Sequence, residues 1–352
     1  MEQNNCRPFI HFTPQYGWMN DPNGLVFHDG IYELYYQSNP DNLFWANMTW
    51  GHARSRDLLH WEQLDHVLFP DETGLMFSGS GLLSRPGDAG EEKACLCFPY
   101  TAAGRDRQDA SRAHFTIRMA KSYDGGNTLV KTGTKILDEV APDNRDPKVF
   151  YHEESRAYIL VLWLFGNTFG IFRSGSLEHF ELSSTVELEG GFECPDLFCL
   201  PVYDGEGGRT DESRWVFWAA DGSYYVGDFD GYTFTETEPR KKAYLSALPY
   251  AAQTFSNDPL GRTLSIAWLR TKTIQNQYTG AMSLPRVLTL CKTSAGHRLK
   301  LSLPEEYYRK EVPLTFEQGL AVLPTDGALR VAIRDLSAFT LSLYGDAEEP
   351  FL

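Results

Sequence analysis

Helical periodicity is nearly absent from this sequence. Apolar residues recur instead in short strand-like runs, separated by Gly, Asp and Asn turns. Such a chain cannot bury its apolar surface as helix stripes and must build sheets. The runs fall into five groups of four. The first covers 25–27, 31–37, 48–53 and 61–69, and the second 76–83, 94–100, 115–121 and 128–131. The third covers 148–151, 157–164, 168–173 and 180–186, and the fourth 196–202, 214–218, 224–229 and the neighbourhood of Phe234. The fifth covers 251–255, 264–269, 281–290 and 297–303. Pairing is expected to be local within each group. Repeated four-stranded units favour radial closure, which leaves only short sheet edges. The fold class predicted is therefore all-β, with a five-bladed β-propeller favoured over a β-sandwich or an irregular β domain.

The pattern changes between Pro304 and Pro313 with the charged stretch Glu305-Glu306-Tyr307-Tyr308-Arg309-Lys310. Two more apolar runs follow, at 329–333 and 339–343. The domain reading is a propeller over 1–306 and the opening of a C-terminal β-sandwich over 307–352, too short to complete that module.

Three carboxylates stand where strands are expected to begin: Asp21 in Trp18-Met19-Asn20-Asp21-Pro22-Asn23-Gly24, Asp146 in Arg145-Asp146-Pro147, and Glu193 in Glu193-Cys194-Pro195-Asp196. A fold that brings strand starts to one axis gathers all three in one pocket. Paired carboxylates among aromatic side chains suit cleavage of a glycosidic bond.

The formal charge of -15 disfavours nucleic acid as a partner, because phosphate neutralisation needs a basic surface. No apolar stretch is long enough for a membrane-spanning helix. The first twelve residues hold no apolar signal segment, so the expected setting is the cytoplasm, or a secreted chain whose signal is absent here. Six cysteines are present. Cys95 and Cys97 alternate on one strand face, and Cys194 and Cys199 flank a short run. Neither pair brings the further ligands a zinc site needs, so all read as unpaired thiols. His52 reads as a buried strand residue, Asp196 as structural, and Asp124-Gly125-Gly126-Asn127 as a hairpin turn rather than a calcium loop.

Taken in order, these motifs resemble glycoside hydrolase family 32, the invertase, inulinase and levanase group. The motif around Asp21 matches the group's signature. Phe77-Ser78-Gly79-Ser80, Arg145-Asp146-Pro147, Glu193-Cys194-Pro195-Asp196 and Gly280-Ala281-Met282-Ser283-Leu284-Pro285-Arg286 follow in the family's sequence. The resemblance covers roughly residues 9–303. It implies a five-bladed propeller with an axial pocket followed by a β-sandwich, and chemistry that retains anomeric configuration without metal or other cofactor.

The resemblance also implies roles. Asp21 is the expected nucleophile and Glu193 the acid/base, which must carry a proton at the start. Retention requires these two carboxyls about 5–5.5 Å apart. Asp146 is the expected transition-state stabiliser, and Arg145 the natural partner for one of the carboxylates. Asn20, Gln37, Trp45, Phe77, Ser78 and Trp268 are expected in the sugar-binding shell, with a core position the alternative for Trp45, Phe77 and Trp268. The activity implied is exo-acting removal of terminal fructose from inulin-type or levan-type fructan, or from sucrose. Fructosyl transfer, endo-acting cleavage and a catalytically silent fructan-binding propeller are the alternatives. Oligomeric state is left open.

Overall fold

The computed structural model describes residues 7–8, 10–105, 108–109 and 111–308. Within them the chain is all-β apart from one 3-10 turn, Glu305–Tyr308. The strands form five consecutive meanders. The first holds β1 (Gly17–His28), β2 (Ile31–Asn39), β3 (Thr49–Ser55) and β4 (Glu62–Leu68). The second holds β5 (Leu75–Gly79), the short β6 (Leu82–Leu83), β7 (Leu96–Arg105), β8 (Ala113–Ser122) and β9 (Val130–Leu137). The third holds β10 (Arg145–His152), β11 (Ala157–Phe165), β12 (Thr168–Ser174) and β13 (Glu181–Glu187). The fourth holds β14 (Asp196–Tyr203), β15 (Arg209–Trp218), β16 (Ser223–Phe229), β17 (Phe234–Glu236) and β18 (Lys241–Lys242). The fifth holds β19 (Pro249–Thr254), β20 (Leu264–Leu269), β22 (Ala281–Met282), β23 (Arg286–Thr293) and β24 (Gly296–Ser302), while β21 (Tyr278–Thr279) crosses to pair in parallel with the start of β1. A short parallel pairing of β14 with β23 joins the fourth and fifth meanders into one hydrogen-bonded sheet.

Alternation along the middle strands explains why the meanders stack in a ring. In β11, Tyr158, Leu160, Leu162 and Leu164 pack against Cys97, Ile117 and Met119 of the second meander. Its intervening residues Ile159, Val161 and Trp163 pack against Leu197, Phe217 and Tyr225 of the fourth. A strand buried on both faces reads as a continuous apolar run, as this one does. The same division recurs around the molecule. Tyr35 and Trp50 join Phe98 and Tyr100 between the first and second meanders. Val216 and Trp218 join Ala252 and Leu288 between the fourth and fifth. Leu34 and Tyr36 join Leu264 and Ile266 between the fifth and first. These five interface cores among the described residues close the ring of a five-bladed propeller.

Three sequence boundaries shift. β1 begins at Gly17 rather than Leu25, so Asp21 lies inside the strand. The run at 76–83 divides into β5 and β6, and the run at 281–290 into β22 and β23. The chain separates into compact units 1–311 and 312–352. Within the first, the 3-10 turn is anchored by Tyr307 Oη, which donates to Leu58 O at 2.9 Å, and by Glu306 paired with Arg262 at 3.0 Å. From Arg309 onward, the region predicted to open a β-sandwich lies outside the described residues. No described helix is long and apolar enough to cross a membrane.

Candidate active site

Each meander sends its first strand to the ring axis, and each contributes to one cluster there. β1 carries Asp21, β5 carries Ser78, and β10 carries Arg145 and Asp146. Glu193 and Cys194 lie just ahead of β14, and β19 carries Tyr250. Four of these strands slip in register where the cluster residues sit: between Met19 and Pro22, Met76 and Gly79, Arg145 and Lys148, and Tyr250 and Gln253. A bulge re-aims a side chain that regular alternation would send into a sheet-to-sheet core. The prolines after the carboxylates, Pro22, Pro147 and Pro195, fit the same positions, because a missing N–H is tolerated at a bulge or a strand start.

The backbone is strained where the carboxylates enter. Asp146 has φ +64°, Glu193 +33°, Cys194 +44° and Ala251 +50°. Non-glycine residues in this region cost on the order of 1 kcal/mol or more each, so the surroundings must hold them. Asp146 N donates to Thr101 Oγ1 at 3.1 Å, and Cys194 N donates to Asp146 Oδ2 at 3.1 Å. Ala220 N donates to Glu193 O at 3.1 Å, and Ala251 N to Ala220 O at 2.8 Å.

The carboxylates are individually bonded. Asp21 accepts from Ser78 Oγ at 2.7 Å and from Asn20 Nδ2 at 3.1 Å. Cys194 Sγ stands 3.4 Å from Asp146 Oδ2 and 3.6 Å from Asp21 Oδ2, and oxygens of the two aspartates lie within 4.8 Å of each other. Glu193 Oε2 accepts from Arg145 Nη2 at 2.7 Å and Nε at 3.2 Å, while Oε1 accepts from Tyr250 Oη at 2.7 Å. Arg145 also stands 3.9 Å from Asp146 and lies flat on the Trp163 ring, 4.1 Å from its centroid.

Arg145 thus serves Glu193 and Asp146, while Asp21 is held by Ser78 and Asn20 without a cation. Burial raises the Asp21 carboxyl above the usual carboxylate range; the bonds from Ser78 and Asn20 oppose this and the charge of Glu193 adds to it. Burial pushes Asp146 up to about 7, against the pull of Arg145 and with help from Glu193 and Asp21. Burial also holds the Tyr250 phenol protonated, reinforced by the charge of Glu193.

The binding-shell expectations divide. Asn20 and Ser78 touch Asp21 directly. Trp45 lies between β2 and β3, 49% exposed, edge-on to Phe77 at 5.7 Å; Phe77 in turn meets Phe115 at 5.5 Å. Trp268 is half-buried in β20, against Trp18 at 5.8 Å and Tyr250 at 6.2 Å. Gly280 permits that position: its φ is +90°, and a Cβ there would stand 2.9 Å from Trp268 Nε1 and 2.3 Å from Met19 O. Gln37 is buried and donates to Met76 O at 2.9 Å, tying β2 to β5. Sequence reasoning missed Tyr250, Thr101, Trp163 and the contact of the Cys194 thiol with two carboxylates. Tyr250 had one signal: it stands just ahead of the run at 251–255 that opens the fifth group, as Asp146 and Glu193 stand just ahead of the runs that open theirs.

One step down the axis lies a second polar cluster. Lys148 Nζ donates to Thr254 O at 2.6 Å and Thr254 Oγ1 at 2.8 Å, and pairs with Asp196 Oδ2 at 3.2 Å. Asp196 Oδ2 accepts from Thr254 N at 2.7 Å and Oγ1 at 2.8 Å. All three residues are buried. They tie β10, β14 and β19 together directly beneath Asp146, Glu193 and Tyr250, and give Asp196 the structural position expected of it.

The family model described as glycosyl hydrolases family 32 N-terminal domain matches residues 11–301. A levanase from Bacillus subtilis (strain 168) is 35% identical over 324 residues, which span 83% of this chain and 46% of the levanase. An extracellular exo-inulinase from Meyerozyma guilliermondii is 32% identical over 339 residues, spanning 86% of this chain and 62% of the inulinase. Among solved structures, a fructofuranosidase from Schwanniomyces occidentalis complexed with fructose superposes with TM-score 0.74 at 30% identity, over 85% of this chain and 64% of that one. An exo-inulinase from Aspergillus awamori gives TM-score 0.75 at 28% identity, over 85% and 68%. A five-bladed ring with carboxylates at its axis defines the class, and the matches make the assignment plain: this chain belongs to glycoside hydrolase family 32. It spans about half to two thirds of the length of these relatives.

Proposed function

We propose that the chain carries the catalytic site of a retaining, exo-acting β-fructofuranosidase that releases terminal fructose from fructan or sucrose. The observation that carries this reading is the convergence of Asp21, Asp146 and Glu193 on one axial cluster, each held by its own donors. In the proposed reaction Asp21 attacks the fructosyl anomeric carbon (C2), and the bond from C2 to the leaving oxygen breaks. Glu193 gives its proton to that oxygen. It then takes a proton from the water that releases fructose and regenerates Asp21. Asp146 bonds fructose hydroxyls as positive charge develops at C2.

Arg145 fills both lone-pair sites on Glu193 Oε2 and Tyr250 fills one on Oε1, so the open site for a proton is on Oε1. Arg145 cannot accept. The Tyr250 hydroxyl can turn from donor to acceptor without changing charge. The deliverable proton therefore belongs on Oε1, beside Tyr250. Aromatic residues at the mouth, among them Trp45, Phe77 and Trp268, suit the faces of sugar rings. Relatives named extracellular support action outside the cell.

The test is time-resolved chromatography of products from sucrose, inulin and levan. Fructose as the earliest product from a polymer supports exo-hydrolysis. Oligomers appearing first mean endo-cleavage, and products longer than the substrate mean transfer. A folded chain that binds fructose but yields no product from any of them overturns the catalytic assignment and leaves a binding propeller.

A further inference from the structure

The Cys95 and Cys97 pair lies outside the active-site cluster and has a geometry of its own. Cys97 is buried in β7, facing the core shared with the third meander, and Cys95 packs against that core one step before the strand begins. Their sulfurs stand 3.6 Å apart. Ser84 Oγ lies 3.6 Å from Cys95 Sγ and accepts from Cys95 N at 3.0 Å. On its open side Cys95 lines a cleft of about 480 Å³ whose wall includes His28, Glu91, Glu92, Lys93 and Tyr123. Lys121 reaches this neighbourhood from β8; its ammonium donates to Glu91 at 3.0 Å and to Ala89 O at 2.6 Å. One thiol is thus partly exposed, in contact with a second, buried thiol, and close to the Lys121–Glu91 ion pair.

We propose that Cys95 is a site of reversible thiolation by low-molecular-weight disulfides, with Cys97 the buried donor that activates it. The Cys95 thiolate attacks one sulfur of a disulfide RS–SR. A Cys95–SR bond forms, the original S–S bond breaks, and RS⁻ leaves to take a proton from solvent. Cys97 keeps its proton throughout.

The contact with Cys97, helped by Ser84 and Lys121 and opposed by burial and by the Glu91 carboxylate, draws the Cys95 thiol below its ordinary range, while Cys97 is pushed up. Burial pushes Cys194 and Cys199 the other way. An internal Cys95–Cys97 disulfide is opposed by the strand. Residues i and i+2 on an extended strand stand about 6.6–6.8 Å apart, at the far end of the Cα range of about 4.4–6.8 Å that disulfides span. β7 is held in register on both sides, with Cys97 opposite Leu82 of β6 and Lys121 of β8. The mixed disulfide on Cys95 therefore persists until an external thiol removes it, and the cleft gives the adduct room.

The experiment incubates the folded chain with glutathione disulfide, quenches with acid and maps the modified cysteines by peptide mass spectrometry across pH 5–9. Cys95 is expected to be thiolated first, at least roughly tenfold faster than exposed Cys199, with its rate levelling at a lower pH. Cys97→Ala should slow Cys95 by roughly tenfold at neutral pH and move that levelling upward. Should Cys97→Ala fail to fold, Lys121→Met, which leaves both thiols in place, gives the second reading through a smaller slowing. Modification of Cys199 ahead of Cys95, an unchanged Cys95 rate in a folded Cys97→Ala variant, or recovery of an internal Cys95–Cys97 disulfide would each overturn the proposal.

Discussion

Two buried charge clusters sit on the same strands, a few residues apart, and they are built to opposite ends. The upper one gathers Asp21, Asp146 and Glu193 with a single Arg145, which reaches Glu193 and Asp146 but leaves Asp21 to neutral donors. The lower one closes Lys148 and Asp196 on each other and on Thr254. β10 reaches both within two residues, at Asp146 and Lys148. Burial acts on both. In the upper cluster it meets like charge, so Asp21 and Asp146 hold protons above the usual carboxylate range. In the lower cluster it meets a complete pair, which fixes the strands instead.

Removing single residues separates the two behaviours. The largest effect is expected from Asp21→Ala: at least ~10⁴-fold lower turnover of sucrose or fructan, with thermal stability unchanged or raised because one clustered carboxyl is gone. Activity near the parent level in a clean preparation would remove Asp21 from the nucleophile role. Lys148→Met should act in the opposite sense, costing about 3–5 kcal/mol in urea unfolding because Asp196 is left buried and uncompensated. Lys148→Met with Asp196→Leu should recover much of that loss; failure to recover would mean that the cluster matters through its bonds to Thr254 rather than through charge.

Glu193→Gln sharpens the chemical half of the comparison. It should lower turnover of sucrose by ~10²–10⁴-fold, and turnover of an activated aryl fructoside much less, because the aryl leaving group needs no proton. Equal losses on both substrates would deny Glu193 the acid role.

A smaller effect concerns pH. Asp146 has its folded pKa raised from 3.8 to about 7. Between those values the folded state binds more protons than the unfolded one, so this group's stabilisation is complete below about pH 4 and is lost as pH rises through about 7. Denaturation midpoints of the parent minus those of Asp146→Asn should fall across that window. A flat difference would mean that Asp146 is ionised throughout. Trp45→Ala is expected to be the mildest change. At 49% exposure it should alter stability by no more than about 0.5 kcal/mol, while raising KM for a polymeric substrate.

The five groups of strands were legible because alternation along a strand such as β11 is a local property, set by two neighbouring cores. The three carboxylates were legible because each lies in a compact motif at the entrance to its group. Tyr250 carried no such motif. Its hydroxyl reaches Glu193 only because β19 bulges at Tyr250–Gln253 and the ring brings the fifth meander beside the fourth. The start of β1 was missed for a related reason: Trp18 to Asn23 reads as a polar turn until pairing with β2 makes it strand.

By itself the sequence determined the class of fold, the family and the motifs in which the three carboxylates lie, since period-two patterning and short motifs survive without contact information. Tertiary structure alone decided which acid Arg145 serves, that Cys194 touches two carboxylates, and that Lys148 and Asp196 close a seam beneath them. Those pairings join residues 48 or more positions apart in the chain. They are fixed by bulges, positive φ angles and ring closure, and these follow from how the sheets pack rather than from any one segment.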